Sequence, residues 1–160
     1  MIEYKIMLGF ERKSMERFVS KSEKDTEGFA ENFAKTLNKG DVIAFLGGLG
    51  AGKTAFTRGL ARGLKCEDDV SSPTFAIVNE YYGETMLFHF DMYRIASIEE
   101  LYSIGFFEYL DRGGVCAVEW SENILSALPQ NTIYIKINRI DQNEREIIIF
   151  SEDEYDNFGN

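Results

Sequence analysis

The sequence predicts a three-layer α/β fold with a mixed sheet. Short apolar runs alternate with amphipathic segments in the early part of the chain, as expected where strands alternate with helices. The later part holds two β-rich segments, 133–140 and 147–150, which we expect to pair antiparallel across the polar stretch between them. The chain has 160 residues and no internal repeat or linker, so a single domain over 1–160 is predicted.

Each element has its own local signal. Residues 26–39 are predicted as an amphipathic helix that begins at Thr26, which can cap its N-terminus, and stops at Gly40. The apolar run 42–46 is typical of a strand buried on both faces, and a glycine-rich loop and a second helix follow it. The remaining predictions are strands over 76–82, 85–90 and 115–118, a helix over 98–110 broken near Gly105, a short helix over 121–128, and a frayed acidic tail over 151–160.

Composition excludes several classes of protein. Lys and Arg total 17 and Asp and Glu total 27, so the formal net charge is −10. Binding along a phosphate backbone needs a basic face, so we do not expect the chain to bind nucleic acid by itself. No apolar run is long enough to span a membrane and the N-terminus lacks the apolar core of a signal peptide, which predicts a soluble cytoplasmic protein. Cys66 and Cys116 are expected to be reduced, partly buried thiols.

The glycine-rich loop fits the phosphate-binding pattern G-x-x-x-x-G-K-[ST] at every fixed position. Glycines let consecutive backbone N–H groups turn inward around a phosphate, and the helix that follows directs its positive end at the same anion. Lys53 can reach the β- and γ-phosphates, and the Thr54 hydroxyl can ligate Mg²⁺. The predicted fold is therefore P-loop NTPase-like. The candidate nucleotide-binding residues of the loop are Gly47, Gly48, Leu49, Gly50, Ala51, Gly52, Lys53, Thr54 and Ala55.

A phosphate loop also needs a carboxylate at the end of a neighbouring strand to hold Mg²⁺ or its waters. Glu119 ends the apolar run 115–118, and Asp91 ends the strand that contains Phe88 and Phe90. The residues alone leave open which acid serves. His89, the single histidine of the chain, is interpreted as a hydrogen-bonded core residue because no second metal-ligating side chain lies near it in the sequence.

The segment Asn38-Lys39-Gly40-Asp41 spells the N-K-x-D pattern of guanine recognition, but it precedes the phosphate loop. We interpret Asn38 and Gly40 as helix-stop residues and expect ATP as the nucleotide. Gly59 and Gly63 are interpreted as sites of close helix packing.

Four segments together resemble the TsaE (YjeE) family. They are the GGLGAGKT loop at 47–54, the S-P-T-F segment at 72–75, H-F-D-M-Y-R at 89–94 and V-E-W at 118–120. The loop alone is generic, but the other three in this order are specific. The resemblance covers residues 15–150 and leaves 1–14 as an N-terminal extension.

The resemblance implies a small ATPase of bacterial tRNA threonylcarbamoyladenosine (t6A) synthesis. Such a protein acts on a TsaB–TsaD heterodimer, meets tRNA only through that complex, and hydrolyses ATP slowly to reset it between turnovers. By the same resemblance, Lys53 and Thr54 hold phosphate and Mg²⁺, Glu119 is the acid of the Walker B strand and a metal ligand, and Asp91 is a catalytic carboxylate near the metal. Thr74 then belongs to a switch loop over the γ-phosphate.

The chain departs from the family pattern at two loop positions. Gly48 replaces a usual Asp, and Ala55 replaces a common second Thr. Nucleotide binding is expected to survive these changes, whereas the hydrolysis rate is open. Two alternative functions remain open: a small-molecule P-loop kinase, which needs an acceptor pocket and an Arg-rich lid, and a nucleotide-gated binding module with little turnover, which Gly48 favours.

Overall fold

The structure is a computed structural model that describes residues 15–159. Its seven strands form one sheet with the order β1-β7-β6-β2-β5-β4-β3. The strands are β1 (Glu16–Ser20), β2 (Val42–Leu46), β3 (Val78–Tyr81), β4 (Leu87–Asp91), β5 (Val115–Glu119), β6 (Ile133–Arg139) and β7 (Arg145–Ser151). The helices are α1 (Glu23–Ala34), α2 (Lys53–Gly63), α3 (Ile98–Ser103), α4 (Phe106–Leu110) and α5 (Tyr155–Phe158), with 3-10 turns over Ser121–Ala127 and Glu152–Glu154.

The sheet is mixed, as the sequence predicts. Strands β6, β2, β5 and β4 run parallel at its centre. Antiparallel strands form both edges of the sheet. Strand β3 pairs with β4 at one edge, and β7 pairs with both β6 and β1 toward the other. The predicted pairing of the two C-terminal strands is confirmed, with Ile135 opposite Ile149. Parallel central strands bring their carboxyl ends to one edge of the sheet, where ligands of α/β proteins bind.

Alternating side chains of the strands fill separate cores on the two faces of the sheet. On β2, Ile43 and Phe45 face α1 and α2, where Phe56 and Leu60 complete the largest core. Val42 lies on the opposite face with the residues of α3 and α4. All five residues of β2 are buried, as expected for a strand covered on both faces. The three predicted layers are therefore present.

The first helix begins earlier and ends earlier than predicted. It spans Glu23–Ala34, and its N-cap is Ser22, whose side chain accepts a hydrogen bond from the Asp25 amide. Thr26 is therefore not the cap. It lies inside the helix, and its buried hydroxyl is 2.7 Å from that of Ser20 at the end of β1. Gly40 does adopt a left-handed conformation, with φ of 91°, but it closes a turn after the helix has ended.

The break predicted near Gly105 is confirmed, because that residue separates α3 from α4 with φ of 75°. The short helix predicted over 121–128 is a 3-10 helix over Ser121–Ala127. Strand β1 was not predicted. The tail after β7 differs from the expected fraying, because Tyr155 and Phe158 of α5 pack on the sheet beside Tyr134 and Phe150. The extension 1–14 lies outside the described residues.

Both cysteines are free thiols, and Cys116 is buried in β5. Burial raises the pKa of the Cys116 thiol to about 12, so it stays protonated at neutral pH. Among residues 15–159, no helix combines the length and the apolar character that crossing a bilayer requires.

Candidate functional site

The phosphate loop connects the end of β2 to the start of α2. Gly47, Gly50 and Gly52 have φ values of 142°, 75° and 114°, a region that other residues rarely enter. A Cβ atom on Gly47 would also lie 2.7 Å from the carbonyl oxygen of Ile137 on β6. These backbone requirements explain why glycine stands at the three positions.

Lys53 is the first residue of α2 and is buried, with 7% of its surface exposed. Its ammonium donates to the carbonyl oxygen of Gly47 at 3.0 Å and lies 5.0 Å from the centre of the Trp120 ring. No carboxylate is hydrogen-bonded to this ammonium in the described part of the chain. The charge is therefore held at the loop by a carbonyl and an aromatic face, and it remains available to an anion.

The two candidate acids lie side by side. Asp91 ends β4, Glu119 ends β5, and the two are register partners in neighbouring parallel strands. Both are buried, with 7% and 6% of their surfaces exposed. Asp91 Oδ1 accepts a hydrogen bond from the Tyr93 amide at 2.9 Å, and Glu119 Oε1 is 2.9 Å from His89 Nε2. His89 is thus a hydrogen-bonded core residue, as predicted, and its partner is a candidate site residue.

An open cleft of about 900 Å³ joins these parts, a size that small-molecule ligands fill. Most of the predicted site residues line it: Leu49, Gly50, Gly52, Lys53, Thr54, Ala55, Thr74, Asp91 and Glu119. Gly47, Gly48 and Ala51 do not line it. Gly47 lies against β6, Gly48 is exposed, and the Ala51 side chain packs into the core.

The segment before β3 forms one rim of the cleft. The Ser72 hydroxyl is 2.8 Å from the Thr74 hydroxyl, and both residues line the cleft. Ile77 ends the segment with φ of 69°, a strained conformation for a β-branched residue. Its carbonyl oxygen accepts the Asp91 amide at 2.9 Å, which ties the rim directly to one of the two acids.

The turn between β6 and β7 contributes residues that the sequence analysis missed. Gln142, Asn143 and Arg145 line the cleft, and Arg145 Nε donates to the carbonyl oxygen of Ala51 at 2.9 Å. Polar residues in a hairpin turn carry no sequence signal of this role, because the contact joins positions 94 residues apart.

The N-K-x-D segment at 38–41 and the two glycines of α2 that were interpreted as packing sites lie outside the cleft. The Asp41 carboxylate accepts a hydrogen bond from the Asn38 amide at 2.7 Å, so the N-K-x-D segment closes the turn before β2. Gly59 and Gly63 pack against α1, where added Cβ atoms would lie 2.3 and 2.5 Å from the carbonyl oxygens of Glu27 and Glu31. The interpretation of both glycines as packing sites is confirmed.

The donor set of the cleft fits Mg²⁺. The Thr54 hydroxyl and the Glu119 carboxylate are oxygen donors, and Mg²⁺ combines one or two such ligands with waters and phosphate oxygens. No group of three or more His, Cys, Asp or Glu side chains suited to a metal occurs within residues 15–159. Within the described residues the cleft therefore supplies two oxygen donors of the type that Mg²⁺ prefers.

The central parallel strands, the glycine loop between β2 and α2, and the acids at the ends of β4 and β5 define a P-loop NTPase-like protein. A family model described as threonylcarbamoyl adenosine biosynthesis protein TsaE matches residues 20–147. The chain therefore belongs to the TsaE family.

Individual relatives agree with the family match. The tRNA threonylcarbamoyladenosine biosynthesis protein TsaE of Treponema pallidum (strain Nichols) is 39% identical over 133 residues, which are 83% of this chain and 98% of that protein. The protein of the same name from Bacillus subtilis (strain 168) is 44% identical over 124 residues, 77% of each chain. The crystal structure of Bacillus subtilis YdiB superposes with a TM-score of 0.70 at 34% identity, covering 89% of this chain and 90% of the other.

Proposed function

We propose that the protein binds ATP with Mg²⁺ in the cleft and hydrolyses it slowly, as an accessory ATPase of t6A modification in the cytoplasm. The observation that carries the proposal is the meeting of Lys53, Asp91 and Glu119 around one cleft beneath a phosphate-type loop. The names of the relatives support the pathway.

The loop and α2 supply the phosphate-binding groups. Backbone N–H groups of the loop and the N-terminus of α2 present partial positive charge, and Lys53 adds a full charge. The Lys53 ammonium donates to the Gly47 carbonyl oxygen at 3.0 Å in the structure. When ATP binds, we expect this ammonium to donate to phosphate oxygens instead, because charge-assisted hydrogen bonds are stronger. Thr54 and Glu119 would hold Mg²⁺, directly or through its waters, and the ion would supply positive charge that offsets the negative charge of the phosphates.

Hydrolysis needs a water in line with the γ-phosphate. Asp91 is the candidate to orient that water or a water of the metal, because its Oδ2 is not taken by the Tyr93 amide, which bonds Oδ1. Thr74 is the candidate contact of the γ-phosphate from the rim. Positioning of these groups, rather than covalent catalysis, supplies most of the acceleration in phosphoryl transfer.

Turnover by the isolated chain is expected to be slow because the arginines of the cleft are already engaged. Arg58 forms ion pairs with Glu23 and Glu27, and Arg145 donates to backbone carbonyls. Neither is free to act as an arginine finger, which typically accelerates hydrolysis by about 10³-fold or more. We propose that the partner, a TsaB–TsaD heterodimer, completes or regulates the site, and that tRNA is met only through this complex.

Phosphate release from Mg-ATP tests the proposal, with the protein alone and with TsaB and TsaD added. Slow release that changes on adding the pair is expected. The Lys53→Ala variant should lose ATP binding, whereas Lys65→Ala, a change of the same type at an exposed position, should not. Full ATP affinity and turnover in Lys53→Ala would refute the site.

The same measurement separates the rival functions. Release that stays absent until a small acceptor is supplied would indicate a kinase. ATP binding without any release, combined with nucleotide-dependent capture of TsaB–TsaD, would indicate a binding module that is gated by the nucleotide.

A further inference from the structure

Arg145 connects the β6–β7 turn to the phosphate loop. Its Nε donates to the carbonyl oxygen of Ala51 at 2.9 Å, and one terminal nitrogen lies 3.5 Å from the carbonyl oxygen of Gly50. Its other terminal nitrogen bonds carbonyl oxygens of its own turn, those of Asp141 and Glu144 both at 3.0 Å. One guanidinium therefore spans two segments that are far apart in the sequence.

The contact to Ala51 fixes the direction of a loop amide. In a trans peptide the C=O of one residue and the N–H of the next point in opposite directions. The Ala51 carbonyl points to Arg145, so the Gly52 amide of the same peptide points away from Arg145. Gly52 is the residue that precedes Lys53 at the start of α2, where the loop amides are needed to receive phosphate.

The fork geometry of arginine suits this task better than a lysine would. A guanidinium has five N–H groups in one plane, so it can bond two segments at fixed relative positions, whereas an ammonium bonds as a point charge. The described bonds of Arg145 all go to carbonyl oxygens, so its charge also stays beside the loop and favours an anion there.

Because Arg145 is the first residue of β7, its backbone is fixed by the sheet. In the register it stands opposite Arg139 on β6 and Ser20 on β1. The phosphate loop is thus attached to β2 by the chain itself, and it is hydrogen-bonded through Arg145 to β7, which lies two strands away from β2 in the sheet.

We propose that Arg145 is a positioning residue that holds the phosphate loop in its anion-binding conformation. The inference rests on the proposed function, since it deepens the role of the same cleft. It assigns to Arg145, at the start of β7, the task of organising the loop.

The test combines two measurements on Arg145→Ala, Arg145→Lys and a matched control, Arg139→Ala. Arg139 carries the same charge across the same ladder and is exposed. The first measurement is hydrogen exchange of the loop amides without nucleotide. The second is the Kd for Mg-ADP and Mg-ATP, with the melting temperature recorded for each variant.

Faster exchange at Gly52 and Lys53 is expected in Arg145→Ala, together with a Kd for both nucleotides raised about tenfold, the scale of a hydrogen bond to a charged group. Arg145→Lys should fall between this variant and wild type, and Arg139→Ala should change the Kd by less than about twofold. The kcat at saturating ATP should change much less than the Kd, which a group that touches the reacting phosphate would not show.

Unchanged exchange and affinity in a folded Arg145→Ala variant would overturn the proposal, and so would an equal loss of affinity in Arg139→Ala. If Arg145→Ala fails to fold, Arg145→Lys decides, because it keeps the charge and the aliphatic stem and lacks only the fork. If the wild-type protein binds no nucleotide, the proposed function fails. The exchange measurement then still tests whether Arg145 holds the conformation of the phosphate loop.

Discussion

His89 and Glu119 form a buried pair across β4 and β5, with 2.9 Å between His89 Nε2 and Glu119 Oε1. His89 is fully buried, and its Nδ1 has no hydrogen-bond partner among the described residues. A proton on Nε2 pairs with the Glu119 carboxylate, whereas a proton on Nδ1 would leave a buried N–H unpaired, which costs more than an unpaired lone pair. His89 therefore donates to Glu119 and fixes one carboxylate oxygen, so that the other can face the cleft.

Replacing His89 separates this role from simple packing. Gln places its side-chain nitrogen near the position of Nε2 and can still reach Glu119, whereas Asn is too short. We expect His89→Asn to weaken Mg²⁺-dependent turnover by about tenfold or more, as when groups that orient a metal ligand are lost, and His89→Gln to keep most of it. Titrating the ATPase rate with Mg²⁺ measures the effect. Equal losses in both variants at equal melting temperature would assign His89 to packing alone.

Gly48 offers a test of the departure from the family pattern. Its φ is not in the left-handed region, and a Cβ atom built there meets nothing within 4 Å. We expect Gly48→Asp to fold with an unchanged melting temperature and to hydrolyse ATP at an unchanged rate, because Gly48 is exposed and does not line the cleft. The uncharged Gly48→Asn variant is the control. A higher rate in Gly48→Asp than in Gly48→Asn would contradict this expectation and would show that a carboxylate at this position reaches the phosphates.

The parts of the site that the sequence predicts are those with a complete local pattern. The phosphate loop is contiguous, and each acid directly follows a buried strand, so parallel pairing brings Asp91 and Glu119 together without further information. The clustering of these side chains with Lys53 follows from the fold class, since parallel strands end at one edge of the sheet.

The missed features depend on partners that are remote in the sequence. Strand β1 has only a short alternating pattern, and it is stabilised by pairing with β7, where Phe18 faces Ile147. The earlier start of α1 at Glu23 places Thr26 inside the helix, where its hydroxyl lies 2.7 Å from that of Ser20 at the end of β1. The helix start is different, because Ser22 and the acidic residues Glu23 and Asp25 after it form a local N-cap signal that the sequence analysis missed.

Two helix-interior glycines, Gly59 on α2 and Gly28 on α1, have opposite surroundings. An added Cβ at Gly59 would lie 2.3 Å from the Glu27 carbonyl oxygen, whereas one at Gly28 meets nothing within 4 Å. We expect Gly59→Ala to lower the free energy of unfolding by about 1–3 kcal/mol or more, through overpacking. Gly28→Ala should raise it by about 0.5–1 kcal/mol, since alanine favours a helix interior. Urea unfolding measures both, and a tolerated Gly59→Ala would mean that the helices can separate at little cost.

Lys65 supplies the last prediction, at the C-terminus of α2. It adopts φ of 63°, and its amide and that of Cys66 bond the carbonyl oxygens of Arg62 and Ala61, the two hydrogen bonds of a Schellman motif. The left-handed position in this motif favours glycine, because a Cβ there costs about 1 kcal/mol. Lys65→Gly and Lys65→Ala both remove the charge, so their difference isolates the backbone. We expect the glycine variant to be more stable than the alanine variant by about 1 kcal/mol, or about 2–4 °C in Tm, with ATP binding equal in the two. An alanine variant as stable as the glycine variant would show that the chain leaves the left-handed conformation at no cost.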